Sequence, residues 1–321
     1  MRIVIVDTDH EDTRPEQAVA EAAGIELAVE RAVTEDDVLR VAAEADGIIA
    51  QYAPITRRVL EGLPRLKVVG RYGVGVDTVD VEAATERGVL VTNVPDYGTE
   101  DVSDHAIALA MTVSRATARL DRGLRAGRHD IVPVKPLHRT RDRAFGVLGL
   151  GAIGTATALK ARGIGFDVRG YDPAFEPGTT TPAGIPAVSF DELLESVEVL
   201  SVHVPLNRHT HHLLGAEALG RMRPTASVIN TSRGGVIDTA ALVDAIRGGR
   251  LRGAGLDVFE TEHLEADDPL LTLDEVVLTP HVAWYSEESY VELKRRIAEN
   301  VVAVITGGET ANLVNPEALA R

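Results

Sequence analysis

The clearest chemical signal in the sequence is a glycine-rich turn at residues 149–154, which stands between a predicted strand and a predicted helix. In this GxGxxG spacing, Gly149 permits a tight turn and Gly151 lets a pyrophosphate approach the backbone. Gly154 allows the helix to pack closely on the strand. The N–H groups and positive dipole end of the helix would bind the phosphates. Taken alone, the spacing also fits a glycine-rich turn without a ligand.

A carboxylate after the next predicted strand strengthens the dinucleotide interpretation. Asp172 directly follows the predicted strand 167–171. A carboxylate at this place can accept both adenosine ribose hydroxyls, and it would repel a 2′-phosphate. Arg169 lies too early in the strand to offset that charge. The turn and Asp172 together predict a dinucleotide site that prefers NAD to NADP.

Three later segments each follow a predicted strand and carry one residue that could do chemistry. Arg233 offers a planar, permanently charged fork for a carboxylate. His281 can give or take a proton near neutral pH. Glu262 could hydrogen-bond the second imidazole nitrogen and raise the pKa of that ring. Singly, the three fit a surface ion pair, a loop or capping residue and a solvated acid, so the interpretation depends on their joint occurrence.

The elements that must position these residues are short apolar runs that alternate with helical patterns. The runs are mostly β-branched and continuous, which is typical of parallel strands buried on both faces. Predicted strands cover residues 2–7, 47–50, 66–70, 89–92, 145–148, 167–171, 199–204, 227–230, 253–257 and 276–278. The alternation predicts a doubly wound α/β fold, in which ligands bind beyond the carboxyl ends of the strands.

One long helix and one loop interrupt this regular pattern. The helix is predicted to begin near Thr99, the proposed N-cap, and its apolar face includes Val102, Ala106, Leu109 and Val113. Such an apolar helix could pack against a second domain or subunit as well as its own sheet. A basic, proline-containing loop follows at residues 124–143. His105, within the apolar helix, is interpreted as structural.

Composition excludes several functional classes. The formal net charge of −16 disfavours nucleic acid and anionic membranes as partners. The chain has no cysteine, which excludes disulfides, thiolate chemistry and cysteine-based metal sites. It lacks a signal-peptide pattern and a long apolar run, so a cytoplasmic enzyme is expected. The length of 321 residues favours two domains.

A group of histidines raises the question of a metal site. His203 lies in a predicted strand, and His209, His211 and His212 follow in a polar loop. No acidic partner is expected near them, so the sequence predicts no bound metal. The loop at 204–210 is instead predicted to cover the cofactor.

The order of these motifs resembles the D-2-hydroxyacid dehydrogenase family. The glycine turn is followed by segments 228–235, 255–262 and 278–284, and the resemblance covers nearly the whole chain. It includes Gly73-Val74-Gly75-Val76-Asp77 and Asn93-Val94-Pro95. Residues 281–288 and 206–214 most resemble the branch that contains the C-terminal-binding-protein corepressors.

The resemblance implies two Rossmann-like or flavodoxin-like domains with parallel sheets and a cleft between them. Residues 1–98 plus 288–321 would form the substrate domain, and residues 99–287 the NAD-binding domain, in a homodimer. The implied reaction is reversible hydride transfer between NADH and a 2-oxo acid, with His281 as acid and base. An NAD(H)-sensing, corepressor-like scaffold is the alternative function. Phosphite and phosphoglycerate-type acids are alternative substrates.

The resemblance also extends the set of expected site residues. The expected catalytic residues are Arg233, Glu262 and His281. The expected cofactor-binding residues are Thr99, Gly149, Gly151, Ala152, Ile153, Gly154, Asp172, Val204, Pro205, Thr210, Thr231, Ser232, Asp257 and His281. The expected substrate-binding residues are Tyr52, Val74, Gly75, Arg233 and Trp284. By resemblance, Asp257 lies near the nicotinamide and supports the catalytic pair, while Trp284 suits a medium-sized aliphatic or thioether side chain on the 2-oxo acid.

Overall fold

The chain divides into two compact units, each built on a parallel sheet. A computed structural model describes residues 1–261, 263–310 and 312–320. The first unit comprises Met1–Gly98 and Ser286–Arg321, and the second comprises Thr99–Tyr285. Among the helices in these described ranges, none has the length and apolar character needed to cross a membrane.

The first unit contains a five-stranded sheet whose strand order is β2-β1-β3-β4-β5. All of its neighbouring strands pair in parallel. Its strands are β1 (Arg2–Ile5), β2 (Glu26–Val29), β3 (Gly47–Ala50), β4 (Val68–Arg71) and β5 (Leu90–Thr92). Its helices are α1 (Arg14–Ala22), α2 (Glu35–Val41), α3 (Arg57–Gly62), α4 (Val81–Glu86) and α11 (Glu287–Ile305). Ser286 sets the start of α11, because its hydroxyl accepts the backbone N–H of Ser289 at 3.0 Å.

The second unit contains a six-stranded parallel sheet with the order β11-β10-β9-β8-β6-β7. Its strands are β6 (Ala144–Leu148), β7 (Asp167–Tyr171), β8 (Val199–Val202), β9 (Ser227–Asn230), β10 (Gly253–Leu256) and β11 (Val276–Leu278). Its helices are α5 (Thr99–Arg115), α6 (Thr117–Arg125), α7 (Ala152–Gly163), α8 (Phe190–Ser196), α9 (Ala216–Arg221) and α10 (Thr239–Arg247). A parallel bridge between Gly170 and Ala187 adds one further position beside β7. With that position included, the order contains the 3-2-1-4-5-6 arrangement of dinucleotide-binding domains, and β11 adds a seventh position beside β10.

The predicted parallel α/β class is confirmed, and every predicted strand corresponds to an observed one. The sequence missed β2 because none of the four residues of this short edge strand is buried, so it lacks the continuous apolar pattern of a strand covered on both faces. The long helix begins at Thr99 itself, so the proposed N-cap is its first residue, and it ends at Arg115. Ala116 then adopts a left-handed backbone with φ of 54°, and α6 follows. The four predicted apolar-face residues of α5 are all buried, and the helix packs on α7, β9 and β10.

Candidate dinucleotide and catalytic site

The three glycines of the turn after β6 meet three different requirements. Gly149 has a φ of +94°, and a Cβ there would lie 2.8 Å from the carbonyl oxygen of His203. A Cβ at Gly154 would lie 1.9 Å from the carbonyl oxygen of Gly149. A Cβ at Gly151 would meet no described atom within 4 Å. Two glycines are therefore needed by the fold itself, whereas Gly151 leaves room on the face where a ligand would bind.

The N-terminus of α7 provides hydrogen-bond donors beside that free space. The helix starts at Ala152, and Gly151 before it supplies no side-chain cap. The first backbone N–H groups of a helix have no partner within the helix, and those of Ala152 and Ile153 belong to this group. Together with the positive end of the helix dipole, they suit a pyrophosphate.

Asp172 is held rigidly beside the same turn. One carboxylate oxygen accepts the backbone N–H of Leu150 at 2.9 Å, and the other accepts that of Ala174 at 2.9 Å. Each oxygen can accept a further hydrogen bond, so ribose hydroxyls could bind without displacing the backbone contacts. Arg169 pairs with Asp167 in its own strand.

Two threonine hydroxyls predicted to contact the cofactor are buried without a hydrogen-bond partner among the described residues. They belong to Thr99, at the start of α5, and Thr231, directly after β9. Buried polar atoms in native proteins are nearly always hydrogen-bonded, so both hydroxyls are available to a ligand. The open face at Gly151, the anchored Asp172 and these hydroxyls fit a nicotinamide dinucleotide.

The loop after β8 is stabilised by its own hydrogen bonds. The Thr210 hydroxyl donates to the carbonyl oxygen of Pro205 at 2.5 Å and accepts the N–H of Asn207 at 2.8 Å. Val204, at the start of this loop, is buried, whereas Pro205 is exposed. The His203 ring lies 2.8 Å from the Ser201 hydroxyl, and burial lowers the pKa of His203 to about 3. His203 is therefore neutral at physiological pH.

One prediction about the histidine loop is wrong. Nε2 of His212 lies 3.2 Å from a carboxylate oxygen of Glu260, so the loop has an acidic neighbour. The sequence could not reveal this contact, because Glu260 follows β10 and the two residues are distant along the chain. Burial raises the pKa of Glu260, but hydrogen bonds from Thr239 and His212 outweigh it and leave the pKa below its usual value. The described residues contain no group of three or more acids and histidines that could hold a metal.

A buried asparagine organises the loop that carries Arg233. Asn230 ends β9 and is 1% exposed. Its amide nitrogen donates to the carbonyl oxygen of Arg233 at 2.9 Å, and its amide oxygen accepts both the N–H and the hydroxyl of Ser232. Nη1 of Arg233 donates to the carbonyl oxygen of Ser232 at 2.8 Å. Asn230 was not predicted as a site residue. The one sequence feature that points to it is an amide side chain at the end of an apolar strand.

The Arg233 loop also abuts the segment that follows β10. A Cβ at Gly234 would lie 1.8 Å from the carbonyl carbon of Phe259, so only glycine allows this approach. The segment after β10 leads toward Glu262, the predicted partner of the catalytic histidine. Glu262 lies outside the described residues, so its role stays a prediction.

Asp257 directly follows β10, is fully buried and holds the turn that carries His281. Its carboxylate accepts the backbone N–H groups of Val282 at 3.0 Å and Ala283 at 2.9 Å. It also accepts the hydroxyl of Thr279 at 2.5 Å. The carbonyl oxygen of Asp257 accepts the N–H of His281 at 2.8 Å. This one residue therefore fixes the turn after β11 through both its side chain and its backbone.

His281 has a left-handed backbone conformation. Its φ is 54°, in a region that is uncommon for residues other than glycine, although asparagine, aspartate and histidine adopt it more often than the rest. Such strain clusters at functional sites. Trp284 donates its indole N–H to the carbonyl oxygen of His281 at 3.0 Å and packs edge-on against Tyr285. The structure thus places Trp284 against the backbone of the predicted acid–base residue.

The remaining predicted substrate residues lie in the first unit. Tyr52 follows β3, with 44% of its surface exposed, and its N–H donates to Asp7 at 2.6 Å. Val74 is 40% exposed and follows Gly73, whose φ is +108°. The carbonyl oxygen of Val74 accepts the side-chain amide of Asn93 at 2.6 Å. Val74 and Gly75 therefore lie on a turn at the carboxyl end of β4, as ligand-binding loops do in such sheets.

A buried ion pair near this turn was not predicted. Lys294 of α11 and Glu16 of α1 are both 0% exposed, and Nζ lies 3.2 Å from Oε1. The Tyr72 hydroxyl donates to the same Oε1 at 2.5 Å. Burial lowers the pKa of Lys294 and raises that of Tyr72 well above its usual value. Nothing in the local spacing of these residues signals the pair, because three separate elements contribute to it.

The comparisons with known proteins decide the family. Residues 107–283, more than half of the chain, match the model described as D-isomer specific 2-hydroxyacid dehydrogenase, NAD binding domain. The chain belongs to this family. The match confirms the predicted NAD cofactor and the predicted class of NAD-dependent oxidoreductase acting on 2-hydroxy acids.

Individual family members support the assignment. A glyoxylate reductase of Korarchaeum cryptofilum is 42% identical over 82% of the chain and 80% of its own length. A D-3-phosphoglycerate dehydrogenase of Archaeoglobus fulgidus is 34% identical over 91% of the chain, which spans only 55% of that relative. The crystal structure of Aquifex aeolicus D-lactate dehydrogenase with NAD and lactic acid has a TM-score of 0.87 at 27% identity, covering 98% of the chain and 99% of its own. The comparisons do not single out the corepressor branch, and they give the scaffold alternative no support.

Proposed function

We propose that this family member reduces a small 2-oxo acid with NADH, using His281 as the proton donor and Arg233 as the partner of the substrate carboxylate. The observation that carries the proposal is the turn after β11. There His281 has a left-handed backbone, and the buried Asp257 holds the residues on either side. Strain of this kind persists only where the surrounding structure enforces it.

The proposed chemistry follows from the residue types. When bound, the dinucleotide would supply a hydride for the carbonyl carbon. His281 donates a proton to the carbonyl oxygen in reduction and removes it in the reverse direction. Arg233 binds the carboxylate of the acid, because its planar guanidinium matches the two oxygens. Glu262 is proposed to bind the imidazole of His281 and to keep it protonated for reduction.

The substrate proposed first is glyoxylate, since a relative that is 42% identical over most of the chain is a glyoxylate reductase. Trp284 favours a larger aliphatic or thioether 2-oxo acid as the second candidate, because an indole close to His281 offers an apolar surface. The phosphoglycerate dehydrogenase relative keeps a phosphorylated 2-oxo acid as a third. Phosphite, which would be oxidised with NAD rather than reduced, is the fourth.

NADH is proposed as the preferred coenzyme over NADPH. Asp172 is anchored by two backbone N–H groups, so its charge cannot easily swing away from a 2′-phosphate. A carboxylate so placed would repel that group. Tighter binding of NADPH than of NADH would contradict this role.

The decisive experiment measures NADH oxidation with glyoxylate, pyruvate, a thioether 2-oxo acid, a phosphorylated 2-oxo acid and, in reverse, phosphite with NAD. We expect His281→Asn to lower kcat by about 10²–10⁴-fold, because it removes the proton donor. Asparagine is the matched replacement, since it tolerates a left-handed backbone. Arg233→Ala should mainly raise KM, while Arg221→Ala, which removes a surface arginine, should change neither constant.

Two outcomes would contradict the proposal. Full activity in both site variants would show that the site residues are wrongly assigned. A wild-type protein that binds NADH yet turns over none of the acids would mean that the reaction is wrongly assigned.

We further propose a cytoplasmic homodimer, with the two units serving as a substrate domain and an NAD-binding domain. The second unit exposes apolar side chains on α6 and the segment after it, at Leu124, Ile131 and Val132. Exposed apolar clusters often mark protein interfaces. A second copy of the chain is the proposed occupant. Light scattering should give twice the monomer mass, and Ile131→Asp should reduce it.

A further inference from the structure

We propose that His105 is a positioning residue for the reaction, acting through Thr279 and Asp257 on the turn that carries His281. Nε2 of His105 lies 2.9 Å from the hydroxyl oxygen of Thr279 and 3.5 Å from Oδ1 of Asp257. The inference rests on the proposed function, because it assigns the task of aligning the proton donor to a residue on a distant helix.

The direction of each hydrogen bond in this chain follows from the number of protons available. The Thr279 hydroxyl has one hydrogen, and it donates that hydrogen to Oδ1 of Asp257 at 2.5 Å. The same hydroxyl can therefore only accept from His105, which must carry a proton on Nε2. The order is His105 to Thr279 to Asp257, and this order sets the orientation of the hydroxyl.

The carboxylate at the end of the chain is already committed to the catalytic turn. Besides the hydroxyl, Asp257 accepts the N–H groups of Val282 and Ala283, the two residues that follow His281. Only 1% of the Asp257 side chain is exposed, so water cannot readily replace a lost donor. The orientation of this carboxylate therefore controls where the turn lies.

His105 connects this turn to a helix that contributes no other residue to the hydrogen-bond chain. It belongs to α5, whereas Thr279 and Asp257 follow strands β11 and β10. The left-handed backbone of His281 is unfavourable and relies on its neighbours to persist. Without the imidazole donor, the Thr279 hydroxyl can rotate, and Asp257 loses one fixed partner. A small displacement of the proton donor is enough to slow a reaction substantially.

The experiment compares His105→Leu and Thr279→Val, which remove the donor and the hydroxyl at similar volume. We expect each to lower kcat on the order of 10-fold, while KM for the 2-oxo acid and Kd for NADH stay within about 2-fold. The double variant should be no slower than the single ones, because both break the same chain. His105→Gln and Thr279→Ser restore an N–H donor and a hydroxyl, and should recover most of the lost kcat.

Leu109→Ala is the control for damage to α5, because Leu109 is buried on the same helix outside the hydrogen-bond chain. It should lower thermal stability with little change in kcat. If His105→Leu and Thr279→Val keep wild-type kcat, or Leu109→Ala lowers kcat equally, the positioning role is overturned while the proposed function stands. If the wild-type protein turns over none of the 2-oxo acids, the proposed function fails and this inference fails with it.

Discussion

In both units, a buried aspartate at the carboxyl edge of the sheet holds a neighbouring loop. The two units support this aspartate with different groups. In the first unit, Asp7 follows β1 and accepts the N–H groups of Gln51, Tyr52 and Ala53, in the turn after β3. In the second unit, Asp257 follows β10 and accepts two N–H groups from the turn after β11. In both cases a buried aspartate after one strand fixes the loop after the neighbouring strand.

The reinforcement differs in its electrostatics. The first unit adds a fully buried ion pair, Glu16 with Lys294, beside the Tyr72 hydroxyl. The second adds two hydrogen-bond donors, the Thr279 hydroxyl and the His105 imidazole. Removing one member of an ion pair leaves a bare buried charge, whereas removing one of several hydrogen-bond donors leaves Asp257 with the N–H groups of Val282 and Ala283. Removing one of these groups should therefore mainly lower the stability of the first unit. In the second unit, it should mainly disturb the alignment of the catalytic turn.

The largest expected effect concerns the ion pair. Lys294→Met should lower the free energy of unfolding by about 3–5 kcal/mol, because Glu16 is left charged in the core. Urea denaturation measures the loss. Replacing both partners, with Glu16→Gln added, should recover much of it.

The matched control for that prediction lies on the same helix. Arg295 and Glu299 of α11 form an exposed pair, and Arg295→Ala should cost less than about 1 kcal/mol. Equal losses from Lys294→Met and Arg295→Ala would remove the distinction between the two units.

The second prediction separates the two aspartates by their effect on turnover. Asp257→Ala should lower kcat about 100-fold, since it releases the turn that carries His281. Asp7→Ala frees the turn that carries Tyr52, so it should act mainly on KM. Steady-state kinetics with the best 2-oxo acid checks both. A similar loss of kcat in the two variants would show that the two aspartates do not differ in their effect on turnover.

The smallest expected effect is a pH dependence shared by the two units. Burial and the charge of Lys294 lower the pKa of His10 to about 4, against a smaller opposite effect of Asp9, and burial lowers that of His203 to about 3. Both folded-state pKa values lie below the unfolded value, so the folded protein binds fewer protons. Stability should therefore fall as the pH drops from about 6.5 through these values, by at most about 1.4 kcal/mol per pH unit for each histidine.

Replacing one histidine tests this sign. Between pH 7 and pH 5, the free energy of unfolding should fall less in His203→Gln than in the wild type. The expected difference is on the order of 1–2 kcal/mol. Urea midpoints at the two pH values give the comparison. A steeper loss in the variant would mean that His203 is charged in the folded protein.

The sequence predicts the fold well because parallel strands buried on both faces have a local signature. Among the strands of the described residues, β2 alone escapes it, since an edge strand need not be continuously apolar. The glycine turn is equally local, and the clashes expected at Gly149 and Gly154 explain its spacing. The catalytic set is different, because Arg233 and His281 are ordinary residues that gain meaning only as an ordered set.

The residues that support the site leave no such signal. His105 and Lys294 each act through contacts between elements far apart in the chain. His105 looks like a structural residue on an apolar helix until the fold brings Thr279 beside it. Their roles depend on tertiary contacts, which spacing along one strand or helix does not encode.

The anchoring of Asp172 has a consequence for redesign of coenzyme preference. Its carboxylate accepts the N–H groups of Leu150 and Ala174, and it is also the proposed acceptor for the ribose hydroxyls. Exchanging it for an arginine or alanine to admit NADPH would leave both amides without an acceptor and loosen the glycine turn. A successful exchange would therefore need a replacement that still accepts hydrogen bonds, such as serine, with the new positive charge introduced at a neighbouring position.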